Sequence, residues 1–137
     1  MRKGILLTIL ILAVFTTVYS CQSAEEIEQA KYMSNGKDLY KIYCQNCHGE
    51  NGEGLGELAP PLTDATFLKE NKSQLACLIK NGSSKPITIH GKVYEGKMPA
   101  FDKLADIDIA QLIVYVTNAF GNKQGMYDYQ KVAEDCK

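Results

Sequence analysis

The segment Cys44-Gln45-Asn46-Cys47-His48 constrains this chain more than any other, because it sets two thiols one helical turn apart with an imidazole directly after the second. Neighbouring cysteines have rival uses, and the surroundings separate them. A dithiol redox pair belongs at the start of a helix that follows a strand in a βαβ pattern, and nothing upstream of Cys44 reads as such a strand. A zinc knuckle needs four closely placed ligands. Beyond this segment and Cys21 the chain has Cys77, His90 and Cys136, none of them in a second C-x-x-C or H-x-x-x-H pair. C-x-x-C-H is also the spacing at which two thiols add to the vinyl groups of one porphyrin while the imidazole lies beneath the iron. The spacing therefore predicts one covalent haem c, attached through Cys44 and Cys47, with His48 as its proximal ligand.

The N-terminus agrees with export. Arg2 and Lys3 precede an almost wholly apolar run from Ile5 to Val18, and small Ser20 stands before Cys21. This is the positive-then-apolar pattern of a signal peptide over residues 1–20. The run is short for a membrane span of about 20 residues. Val18-Tyr19-Ser20-Cys21 reads as a loose lipobox, which makes Cys21 the lipidated first residue of the mature chain. A plain secretory signal or an uncleaved anchor helix are the alternatives, and all three place the domain outside the cytoplasm. There disulfides persist, so the two cysteines without another task, Cys77 and Cys136, are expected to bridge and pin the tail to the body. The rival is a small buried Cys77 beside an exposed Cys136. Loss of Arg2 and Lys3 with the leader shifts the net charge from −1 to −3. No basic stripe remains, which excludes a nucleic-acid partner.

The rest of the chain reads as one small all-α domain with a short β-ribbon. Residues 21–33 are polar and acidic, a lipidated tether. Ser34 is the expected N-cap of a first helix in which Gly36, Leu39, Tyr40, Tyr43, Cys44 and Cys47 recur at helical spacing, with Gly49 as its stop. Residues 50–62, ending in Ala59-Pro60-Pro61-Leu62, form a loop against the porphyrin. Ser73 caps a second helix that runs through Lys80 and closes at Asn81-Gly82. Alternation from Ile87 to Val93 around His90-Gly91 predicts the ribbon. The clearest helix runs from Asp106 to Phe120, with Gly121 as its stop and an apolar stripe of Ile109, Leu112, Ile113, Val116 and Phe120 bordered by Tyr115. Gly36 would let it cross the first helix closely. The domain spans residues 34–122, and the tail 123–137, with a helical turn around Tyr129, Val132 and Ala133, is tied back to it.

The second axial ligand has few candidates: His90, Met33, Met98 and Met126. Met33 precedes the first helix and Met126 follows the last. Met98 lies in Gly96-Lys97-Met98-Pro99-Ala100-Phe101, where Pro99 stiffens a loop that can present a thioether from the side away from His48. His90, at a turn tip, reads as a solvated loop residue, and Met98 has its own bland reading as a filler beside the haem.

With Gly36 and Tyr40 at helix-crossing positions, the Cys44, Cys47 and His48 motif, the Pro60-Pro61-Leu62 run, Met98-Pro99 and Tyr115 in the last helix, the chain resembles the small monohaem class I cytochromes c of bacteria. The resemblance covers roughly residues 34–122. It implies the class I cytochrome c fold, with three main helices around one haem. It further implies that Met98 is the sixth ligand and that the Pro61 carbonyl accepts the His48 Nδ1 proton. The residues 87–95 before the methionine and the Cys77/Cys136 pair are departures from the simplest members. The expected function is one-electron transfer between extracytoplasmic respiratory partners, a membrane-bound donor and acceptor complex, without catalysis. The alternatives are a haem subunit of a larger dehydrogenase or reductase, and a sensor or peroxidase-like protein whose Met98 dissociates.

Overall fold

The computed structural model describes Gly4 and residues 23–137. The predicted leader, Gly4 apart, and Cys21 lie outside the described residues. Helix α1 spans Ala24–Tyr43 and opens on a capping box. The Ser23 hydroxyl accepts the Glu26 N–H at 3.2 Å, and the Glu26 carboxylate accepts the Ser23 N–H at 3.1 Å. This corrects two expectations: Ser34 is inside the helix rather than its N-cap, and residues 24–33 are helical rather than a loose tether. The stretch from Ala24 to Lys31 is made of good helix formers, and Tyr32 beyond it is 94 % buried, being 6 % exposed, so this turn has a face to pack.

The haem motif is not on the end of α1. The helix stops at Cys44, whose backbone (φ −118°, ψ −36°) offsets a single turn, α2, Gln45–His48, that ends at Gly49. Next come α3, Ala65–Glu70, and α4, Lys72–Asn81. Helix α3 was not expected; the Asp64 carboxylate caps it by accepting the Phe67 N–H at 3.0 Å. Helix α4 starts ahead of Ser73, from Asn71, and ends at Gly82. Strands β1, Ile87–Ile89, and β2, Lys92–Tyr94, pair antiparallel with Ile87 opposite Tyr94. His90 and Gly91 both have positive φ (49° and 79°), the requirement of a two-residue type I′ turn.

Helix α5, Asp106–Asn118, begins after Ala105, whose N–H donates to the Asp108 carboxylate at 3.2 Å. It ends before Phe120 because Asn118 draws the following chain into a turn: its Oδ1 accepts from the Gln124 and Gly125 N–H groups, at 2.9 and 2.8 Å. Helix α6, Gln130–Asp135, buries Val132, and a disulfide joins Cys77 in α4 to Cys136 just beyond α6. The main contact is α1 across α5. At the crossing, a Cβ on Gly36 would overlap the Gln111 carbonyl oxygen, so only a glycine lets the backbones meet this closely. Ile109, Leu112 and Ile113 are buried beneath it, and Tyr40, Tyr115 and Phe120 form a ring cluster with centroids 5.3 to 5.6 Å apart. The chain is thus mostly helical, with one small two-stranded sheet among the described residues.

Candidate functional site

A cavity of about 350 Å³ opens between these elements, within the size range of cofactor pockets. Its wall is mostly apolar, with Leu68 from α3, Leu75 and Ile79 from α4, Ile89 and Tyr94 from the ribbon, and Leu112 and Val116 from α5. Into this lining the chain brings Cys44, Cys47 and His48 from one direction of the sequence and Met98 from another, with Pro60 and Pro61 between. Two thiols and an imidazole beside an apolar chamber fit a covalently attached haem, and a thioether stands on the same wall. Among the described residues, no three His, Cys, Asp or Glu side chains converge as a metal-binding group.

His48 Nδ1 lies 3.0 Å from the Pro60 carbonyl oxygen. A carbonyl only accepts, so Nδ1 carries the proton and Nε2 keeps its lone pair. The acceptor is Pro60 and not Pro61, which corrects the expectation from the resemblance; Pro61 stays on the cavity wall. The loop fixes this choice. The Gly54 N–H donates to the His48 carbonyl at 2.8 Å, the Leu55 N–H to Ala59 at 2.9 Å, and the Leu62 N–H to Gly52 at 2.7 Å, so the chain returns with the Pro60 carbonyl toward the ring. Burial lowers the His48 pKa, opposed by this hydrogen bond. The neutral form is thereby favoured.

Burial, and then the neighbouring Cys47, push the Cys44 thiol up to about 12. Tyr40 is fully buried and donates to the Gly49 carbonyl at 2.7 Å, fixing the residue after His48. Asn122 Nδ2 donates to the Leu62 and Val116 carbonyls, at 2.8 and 2.9 Å, and so ties the proline loop to α5. Nothing in the local sequence pattern marks Asn122 for this role.

Among the described residues, Met33 and Met126 pack against the core and do not line the cavity. His90 is also off the wall: its side chain is 75 % exposed and pairs with the Asp64 carboxylate. The Phe67 N–H, with His90 as a lesser contributor, holds Asp64 below the usual carboxylate range. Among the described residues no helix is long and apolar enough to cross a membrane.

Residues 32–116 match the family described as cytochrome C oxidase, cbb3-type, subunit III. Cytochrome c-552 of Thermus thermophilus is 30 % identical over 107 residues, which cover 73 % of this chain and 82 % of that protein. The cbb3-type cytochrome c oxidase subunit CcoP of Azospirillum brasilense is 37 % identical over 95 residues, 64 % of this chain but 28 % of that longer one. Subunit FixP of Rhizobium meliloti is 29 % identical over 110 residues, 79 % of this chain and 35 % of that protein. A haem-binding motif on the wall of an apolar chamber and these similarities lead to one conclusion: the chain belongs to the cytochrome c family as a bacterial monohaem class I member, an electron carrier whose cofactor is covalently attached haem c.

Proposed function

We propose that the protein carries single electrons between extracytoplasmic respiratory partners on a haem joined to Cys44 and Cys47 and ligated by His48 and Met98. The bound group supplies a one-electron iron couple. The chain's contribution is to fix the donors and exclude competitors. The Pro60 carbonyl orients the His48 ring and strengthens its Nε2 as a donor. The Met98 thioether, a weaker donor than imidazole, favours the reduced state and a higher potential than a second histidine would give. His48 and Met98 would hold the haem iron from the chain and would leave no position for oxygen or peroxide, which favours a carrier over a sensor or a peroxidase-like protein.

The observation that carries this reading is that one cavity wall includes both thiols, His48 and Met98, whereas His90 is engaged with Asp64 outside it. Similarity to proteins named as cbb3 oxidase subunits supports membrane-bound respiratory complexes as donor and acceptor. The lipobox-like Val18-Tyr19-Ser20-Cys21 supports tethering to the membrane surface through a lipid on Cys21. A second reading, a fixed haem subunit of a larger oxidase or dehydrogenase, is supported by the match to only part of CcoP. Match over 82 % of cytochrome c-552 favours the free carrier.

Carbon monoxide tests the ligation. The reduced wild-type protein should show little spectral change with the gas, and Met98→Ala should bind it readily and have a lower potential. Rapid, complete binding by the wild type, or an unaltered spectrum and potential in Met98→Ala, would overturn the reading.

A further inference from the structure

The segment that carries Met98 hangs from the end of α4 by its backbone. The Ser83 N–H donates to the Met98 carbonyl at 2.9 Å, and the Met98 N–H returns to the Ser83 carbonyl at 2.8 Å, an isolated antiparallel pair. Further on, the Phe101 N–H donates to the Ile79 carbonyl at 3.1 Å and so occupies an acceptor in the last turn of α4. Between these attachments sits Gly82, with φ 68° and ψ −172°, a region that residues with a Cβ scarcely enter. A Cβ on Gly82 would lie 2.8 Å from the Pro99 carbonyl carbon and 2.8 Å from the Ala100 nitrogen, and would overlap the Met98 oxygen.

The two sides of this contact differ in what holds them. Helix α4 is fixed by the Cys77–Cys136 disulfide, by the Lys80–Asp106 ion pair at 3.0 Å, and by the buried side chains of Ala76 and Ile79. Lys97, Pro99 and Ala100 are exposed. A misfit at the contact is therefore taken up by the methionine segment.

We propose that Gly82 and Ser83 are positioning residues that set where the Met98 thioether stands and how readily it leaves that place. The inference rests on the reading of Met98 as the sixth ligand. Ser83 supplies the register, because both of its backbone groups pair with those of Met98. Gly82 supplies the close approach, because it has neither a Cβ to collide with the segment nor a penalty for its φ. Retention of the sulfur is then a property of the α4 terminus as well as of the methionine itself.

The test compares the full-chain holoprotein with its Gly82→Ala, Gly125→Ala and Met98→Ala variants, with carbon monoxide as the probe of the reduced form. Gly125 also has a positive φ, 71°, but open space where a Cβ would lie, so its variant carries backbone strain without touching the methionine segment. Gly82→Ala should bind carbon monoxide on the order of tenfold more tightly than the wild type, with a lower potential. Gly125→Ala should match the wild type in both. Wild-type behaviour in Gly82→Ala overturns the proposal, and so does an equal increase in Gly125→Ala, which would signal general loosening.

Should Gly82→Ala not accumulate, hydrogen exchange on the wild-type holoprotein decides. The Ser83 and Met98 amides should exchange roughly tenfold or more slowly than those of exposed Lys97 and Ala100; equal exchange overturns the proposal. Failure of Met98→Ala to admit carbon monoxide overturns the ligand assignment and the proposal with it. The two failures are told apart by Met98→Ala: if it admits carbon monoxide while Gly82→Ala behaves as the wild type, the proposal falls and the ligand assignment stands.

Discussion

Gly36→Ala probes the helix crossing on which the chamber is built. The new methyl group would lie 2.8 Å from Tyr115 Cβ and would overlap the Gln111 oxygen, both belonging to α5. Carbon atoms rest about 3.5 to 4.0 Å apart, so α1 and α5 must separate by about 1 Å, and a gap of that size forfeits up to about half of each contact across it. The contacts at risk are those of Tyr40 with Tyr115 and of the α5 side chains Ile109, Leu112 and Ile113 beneath the crossing. Overpacking of this kind costs about 1 to 3 kcal/mol, and replacing a helical glycine by alanine returns about 1 kcal/mol. The net expectation is a loss of up to about 2 kcal/mol. In a domain of about a hundred residues this lowers Tm by about 4 to 8 °C for each kcal/mol. Denaturant unfolding of the holoprotein, followed by circular dichroism with a thermal melt in parallel, measures it. A Gly36→Ala variant more stable than the wild type by about 1 kcal/mol, the helix-propensity gain with no overpacking to offset it, refutes the close crossing.

Replacing Cys77 and Cys136 together by alanine should lower stability by up to about 4 kcal/mol, the loop-closure value for a bridge spanning 59 residues; a loss below about 1 kcal/mol in denaturant unfolding would show that the bridge constrains little. Asp64 gives a pH dependence with a definite sign. Its carboxyl is held below the usual range by the Phe67 N–H. Its contribution is therefore fully present above the unfolded value of about 3.9 and is lost as pH falls through the lower folded value. Asp64→Asn keeps a capping acceptor but no charge, so the stability gap between wild type and variant should shrink below about pH 4; a constant gap across acid unfolding titrations contradicts this.

The strongest signals in the chain were local ones. The C-x-x-C-H spacing located three wall residues, the α5 stripe found its buried face, and His90-Gly91 marked the hairpin, because each is decided within a few residues. The misreadings share a cause: they depend on distant partners. Residues 24–33 have few large apolar residues, with Ile27 exposed and Tyr32 buried, and their helix gains from a capping box and from packing that sequence periodicity does not register. Two adjacent prolines present two carbonyls, and the choice of Pro60 is made by the turn from Gly52 to Leu62. The early end of α5 follows from Asn118 binding groups six and seven residues ahead. The attachment of the Met98 segment to Ser83 spans 15 positions of backbone pairing and leaves no mark in side-chain chemistry.

The claim beneath all of this is that Cys44 and Cys47 fasten one haem to the polypeptide. Intact-mass measurement of the purified full-chain protein, together with its spectrum in alkaline pyridine, tests it most directly. The account predicts the mass of one haem added to each chain and the spectrum of a thioether-linked chromophore, both lost when Cys44 and Cys47 are replaced by alanine. A bare polypeptide mass, or the spectrum of an unlinked haem with free vinyl groups, would contradict it.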